Sequence, residues 1–198
     1  MKIIIVFIIL ILVSALASSL KKEYDTLKCG DQAPDFMLSS HDNEVIRLSD
    51  YRGEYVVLYF FPKAETPGWT KQACGFRDLY SEYKNNNINV LGISYDSIGS
   101  LLKFKNKYSL PFTFLSDSNK KVSKLFGAEG KLWSRRITFL IDPNGTIKRI
   151  YRKVDVSTHS EKILNDIKNE SPSYIKPIID KKEKEVGSEI PMADIPNI

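Results

Sequence analysis

Phe60-Phe61-Pro62-Lys63-Ala64-Glu65-Thr66-Pro67-Gly68-Trp69-Thr70-Lys71-Gln72-Ala73-Cys74-Gly75-Phe76-Arg77-Asp78 is the stretch on which the fold turns. It leaves an apolar run, Tyr55 to Phe61, that reads as a buried strand. It then bends through proline and glycine and enters a helix over Thr70 to Asn85, with Phe76, Leu79, Tyr80 and Tyr83 at helical spacing. Such a passage sets one side chain at a helix N-terminus, where backbone N–H groups and the helix dipole favour an anion. A thiolate at that place would be stabilised.

Outward from this loop, apolar runs alternate with amphipathic stretches. Ile88 to Ser94 reads as a second buried strand, and Ile98 to Tyr108 as a helix ended by Pro111. A short strand is expected at Phe112 to Leu115, then a brief helix from Lys120 to Phe126 closed by Gly127 in the left-handed cap conformation. Ile137 to Ile141 and Thr146 to Val154 flank Asp142-Pro143-Asn144-Gly145, where Asn-Gly supplies the positive φ angles of a hairpin. Thr158 followed by Glu161 is a capping-box pattern before a last helix, Ser160 to Asn169. Upstream, Gly30 to Phe36 is irregular because Pro34 excludes helix there. The order implies an α/β, thioredoxin-like fold: a mostly parallel central sheet with an antiparallel edge hairpin and helices on both faces.

The 198 residues suit one domain, placed at 29–170. Lys2, the apolar run Ile3 to Val13 and the small-x-small site Ala15-Leu16-Ala17 read as a signal peptide over 1–17. That run falls short of the ~20 apolar residues a membrane-spanning helix needs. The secretory pathway is therefore the expected route, with the plastid second. Residues 18–28 read as a linker, and the proline-bearing, Lys/Glu-rich 171–198 as a disordered tail.

Two cysteines, Cys29 and Cys74, are too few for a disulfide framework or a cysteine-based zinc site. His41 and His159, both in polar surroundings, are expected at the surface, and two isolated histidines make no metal site. No cofactor and no metal are called for. The net charge of +5 comes from lysines and arginines interleaved with acids and apolar residues, which reads as solvated faces and not as a nucleic-acid surface.

The Phe60–Asp78 segment closely resembles the active-site loop of peroxiredoxins of the AhpC/TSA type, in the Q-type or bacterioferritin comigratory subgroup. The resemblance extends from about Cys29 to Asn169 and includes Gly30-Asp31-Gln32-Ala33-Pro34-Asp35-Phe36 and Arg135-Arg136-Ile137-Thr138-Phe139-Leu140-Ile141-Asp142. It implies reduction of small peroxides by a thiolate that becomes sulfenic acid, recovery by a thioredoxin-like reductant, and a monomer. It sets Pro62 at the loop proline, Thr66 and Arg136 at the groups that hold the peroxide oxygens, and Cys74 at the resolving cysteine. At the nucleophile's position stands Trp69.

Indole cannot supply that chemistry. Its N–H donates and offers no lone pair, whereas peroxide reduction needs a low-pKa sulfur. Three readings follow: a scaffold with a lost peroxidase step that serves as a binding or redox-partner module, slow thiol chemistry by Cys74 or Cys29, or a full peroxidase in which Trp69 is a sequence variant. Five residues of helix separate Trp69 from Cys74 by a rise of ~7.5 Å, so Cys74 should not reach the Thr66/Arg136 pocket without local unfolding. By default Cys74 is a small buried hydrophobe and Cys29 an exposed spare thiol. Trp133, just before the arginine pair, is a candidate neighbour of Trp69 or a rim residue.

Overall fold

The computed structural model describes residues 27–170. The leader, most of the linker and the tail expected from the sequence lie outside the described residues. Seven strands form one sheet: β1 Met37–Ser40, β2 Val45–Arg47, β3 Tyr55–Phe60, β4 Ile88–Ser94, β5 Thr113–Ser116, β6 Ile137–Ile141 and β7 Ile147–Tyr151. Five α-helices accompany them: α1 Pro67–Asp78, α2 Tyr80–Asn85, α3 Ile98–Lys107, α4 Lys121–Leu125 and α5 His159–Glu170. A 3-10 turn occupies Leu48–Tyr51.

The strand order is β2-β1-β5-β4-β3-β6-β7. Only β3/β4 and β4/β5 are parallel; β1/β2, β1/β5, β3/β6 and β6/β7 are antiparallel. The expected mostly parallel sheet is therefore corrected to a mixed one. Two causes account for it. The connection after α4 returns at the carboxyl end of β3, pairing Ile137 with Phe60, so β6 must run back against β3. The hairpin β1–β2, absent from the sequence reading, contributes two further antiparallel neighbours.

Every side chain of β3 is buried, because this central strand is covered on both faces. Tyr55, Val57 and Tyr59 face a core closed by Trp69, Phe76, Tyr83, Leu101, Phe104 and Ile163 of α1, α2, α3 and α5. Val56, Leu58 and Phe60 face the opposite core, closed by Leu48 of the 3-10 turn and by Val122 and Phe126 at α4. Helices thus lie on both faces, as expected.

Local differences have local causes. The first helix begins at Pro67, because a proline at the first helical position lacks only an N–H that would be unbonded there. It stops at Leu79, whose φ of −104° and ψ of 9° separate α1 from α2. Gly127 takes the predicted left-handed cap, φ 64°. In the β6–β7 turn only Gly145 has positive φ, 81°, and the Asp142 carboxylate accepts from Asn144 N within it. The turn therefore carries one left-handed residue where two were expected, and the ladder shifts register at Leu140/Ile141.

Candidate active site

The loop from β3 to α1 sits at the carboxyl end of the parallel strands, the usual place for a site in such sheets. Three anchors fix it. Ala64 N donates to Asp96 Oδ2 at 2.8 Å, beyond the end of β4. Ser134 Oγ donates to the Phe61 carbonyl at 2.6 Å, from the connection before β6. The Thr66 hydroxyl donates to the Lys63 carbonyl at 3.2 Å. Glu65 is held in the left-handed region, φ 66°, at a cost of roughly 1–2 kcal/mol for a residue with a Cβ. Its carboxylate pairs with Lys107 at 3.2 Å. Ser134 and Asp96 escaped the sequence reading because both act from distant points in the chain.

Thr66 is the N-cap of α1, in extended conformation, and its carbonyl accepts from Trp69 N at 3.0 Å and Thr70 N at 3.1 Å. Its hydroxyl faces the loop and caps no N–H of the helix. Pro62 opens the turn, half-buried beside the buried Phe61. Trp69, in the first turn, is only 3 % exposed. Its ring packs on Phe61 with centroids 5.7 Å apart.

Arg136 comes from the residue before β6 and lays its guanidinium over that same indole, Cζ 4.1 Å from the ring centroid. Gly68 permits this close approach: a Cβ there would stand 3.3 Å from Arg136 Nη2. Burial pulls the Arg136 pKa below its ordinary value. Among the ion pairs of the described residues no carboxylate neutralises it. Guanidinium nevertheless remains charged at any physiological pH, and stacking on indole contributes about 0.5–2 kcal/mol.

Thr66, Trp69 and Arg136 are therefore brought together at the start of α1, while Cys74 lies further along the same helix. It is half-buried, where a small buried hydrophobe was expected. It sits beside Arg77, whose guanidinium pairs with Asp78 and donates to the Tyr108 carbonyl. Cys29 is exposed, as expected. Trp133 is 48 % exposed and lies under the Lys63 ammonium, so it is a rim residue of the loop.

The histidines depart most from expectation: both are buried. His159 Nε2 shares a hydrogen bond of 2.9 Å with Thr138 Oγ1, and its ring meets Phe76 and Tyr151 edge-on. Burial, with a smaller push from Lys162, lowers its pKa to about 4. His41 Nδ1 accepts from Phe114 N, extending the β1–β5 ladder, and burial lowers its pKa too. Neighbours in sequence hid these partners, which come from strands 21 and 73 residues away. Among the described residues no group of three or more His, Cys, Asp or Glu is placed to hold a metal ion, and no helix is long and apolar enough to cross a membrane.

Fold and loop together define the peroxiredoxin class, and the chain belongs to the AhpC/TSA family, whose sequence pattern matches residues 29–150. Within it the similarity runs to the Bcp and Q-type members. Peroxiredoxin Bcp of Escherichia coli K12 is 43% identical over 150 residues, covering 72% of this chain and 96% of that protein. The chloroplastic peroxiredoxin Q of Oryza sativa subsp. japonica is 46% identical over 125 residues, 62% of this chain and 58% of the rice protein. Among solved structures, peroxidoxin BcpB of Mycobacterium tuberculosis superposes with a TM-score of 0.69 at 32% identity, covering 72% of this chain and 97% of that one. Reduction of peroxides at the expense of a thioredoxin-like reductant is the activity this family supports.

Proposed function

We propose that this chain is a peroxiredoxin whose own peroxide-reducing step is disabled, and that the retained scaffold acts as a binding or redox-partner module. The observation that carries the reading is the burial of Trp69 between Phe61 and Arg136. In this reading Trp69 occupies the nucleophile's place, and Thr66, Arg136 and Pro62 are the remaining parts of the peroxide pocket. An indole N–H offers neither a lone pair for attack on an O–O bond nor a sulfur that can be oxidised and recovered. The guanidinium that would hold a peroxide oxygen is stacked on that indole instead.

Cys74 does not substitute. For its sulfur to reach Arg136 the first turns of α1 would have to unwind, and unwinding would expose Trp69, losing burial worth on the order of 3 kcal/mol. The test is single-turnover loss of hydrogen peroxide on mixing with pre-reduced protein, run beside Trp69→Cys. Silence of the natural chain together with rapid reaction of the variant is the expected result. Turnover by the natural chain that disappears in Cys74→Ser would instead make Cys74 the reacting sulfur. Entry to the secretory route is supported by residues 3–17; N-terminal sequencing of the protein from its own cells should begin at Ser18.

A further inference from the structure

Between α4 and β6 the chain makes a tight loop whose tip points two apolar side chains into water. Leu132 is 73 % exposed and Trp133 48 %. Chance mobility does not account for them, because the loop is fastened at its base and on its sides. Arg135 N donates to the Ala128 carbonyl at 2.7 Å, and Ala128 N to the Ser123 carbonyl at 2.7 Å. Ser134 Oγ holds the Phe61 carbonyl, and Gly130 N donates to Tyr95 Oη at 3.3 Å. A Cβ at Gly130 would collide with the Trp133 carbonyl, so the tightness of the turn depends on glycine there. Side chains that folding could have tucked inward are presented outward on a preorganised support.

Cations surround this tip. Lys63 Nζ lies 5.2 Å from the centre of the Trp133 ring and Lys120 Nζ 5.1 Å from that of Tyr95. Lys120 also donates to the Lys131 carbonyl at 2.9 Å, and Lys131 and Arg135 are exposed in the loop itself. Against these four cations the loop sets Glu129 alone. Tryptophan and arginine are the residue types that anchor protein interfaces, and a charged rim steers a partner of opposite sign.

We propose that the Leu132–Trp133 tip and its ring of Lys63, Lys120, Lys131 and Arg135 form a docking surface for a protein partner that offers an apolar recess rimmed by carboxylates. Nucleic acid fits less well: one face of each ring is already covered by a lysine, and Leu132 has no base-stacking or phosphate-binding use. The surface deepens the binding-module reading and rests on it for its purpose. It adjoins the β3–α1 loop through Lys63 and Ser134, so a partner seated there would lie beside Arg136.

The test uses the full chain and three immobilised probes. These are a panel of acidic dodecapeptides with one central Leu, Phe or Trp flanked by at least four carboxylates, the same panel with lysines replacing the acids, and a 20-nucleotide oligouridine. Saturable binding to acidic peptides, weakened at least tenfold between 50 and 300 mM salt, is expected. Leu132→Ser/Trp133→Ser and Lys63→Glu/Lys131→Glu should each lose it at least tenfold with unchanged thermal melting. The inference is overturned if no acidic peptide binds better than its basic counterpart, if oligouridine binds in preference, or if binding survives loss of the tip. Peroxide turnover, measured separately, reports on Trp69 and Cys74 and not on the tip, so either conclusion can fail without the other.

Discussion

At the scale of single residues, Trp69 is part of the core, 3 % exposed. Trp69→Ala should destabilise the protein by about 3–5 kcal/mol, read from the urea midpoint, because it removes a buried ring from between Phe61 and Arg136. A second test concerns Tyr59, whose hydroxyl is buried without a hydrogen-bond partner. Tyr59→Phe should leave stability unchanged or raise it by up to about 1 kcal/mol in the same assay, since it deletes an unpaired buried polar group and keeps the ring on Phe61 and Phe76. The loop sequence placed residue 69 at the start of a helix, but did not show what surrounds it. That Gly68 admits the Arg136 guanidinium depends on a side chain 68 residues away, and no local pattern reveals such an approach.

At the scale of elements, the buried central strands were legible because their apolar runs are strong: Ile88–Ser94 and Ile137–Ile141 fall where the sequence puts them. The hairpin β1–β2 was not. Its strands are short, and Met37 and Val45 point apolar side chains to solvent, so no alternation marks a buried face. The break at Leu79 was likewise hidden, since Phe76, Leu79, Tyr80 and Tyr83 keep helical spacing across it. Packing between β3 and β4 gives a sharp prediction at this scale. A Cβ at Gly92 would stand 2.8 Å from Tyr59 Cζ and Oη and 3.0 Å from Phe114 Cδ1. Gly92→Ala should therefore cost about 1–3 kcal/mol of overpacking, and Tyr59→Phe in the same chain should recover part of it, as a double-mutant cycle would measure.

At the scale of the whole molecule, stability should depend on pH through His159. Its folded pKa of about 4 lies below the ordinary 6.5, because burial opposes the imidazolium. Above pH 6.5 neither folded nor unfolded chain protonates it, and its contribution is complete. Between 6.5 and 4 the unfolded chain takes up a proton that the folded chain refuses, so stability falls, levelling below 4. Between pH 7 and 5 the loss from this group is about 2 kcal/mol, and His41, shifted in the same direction, adds to it. Urea midpoints at the two pH values should show the drop, and His159→Gln should flatten the slope. The fold class was legible at this scale because element order alone decides it, whereas the strand directions depend on where a connection re-enters the sheet. The two tryptophans, one sealed under a guanidinium and one standing in water on a basic loop, also give the protein a pair of optical reporters. Iodide, drawn to the lysines, should quench the red-shifted emission of Trp133 and spare the blue-shifted light of Trp69, so events at the pocket and at the loop tip can be watched separately in one unlabelled sample.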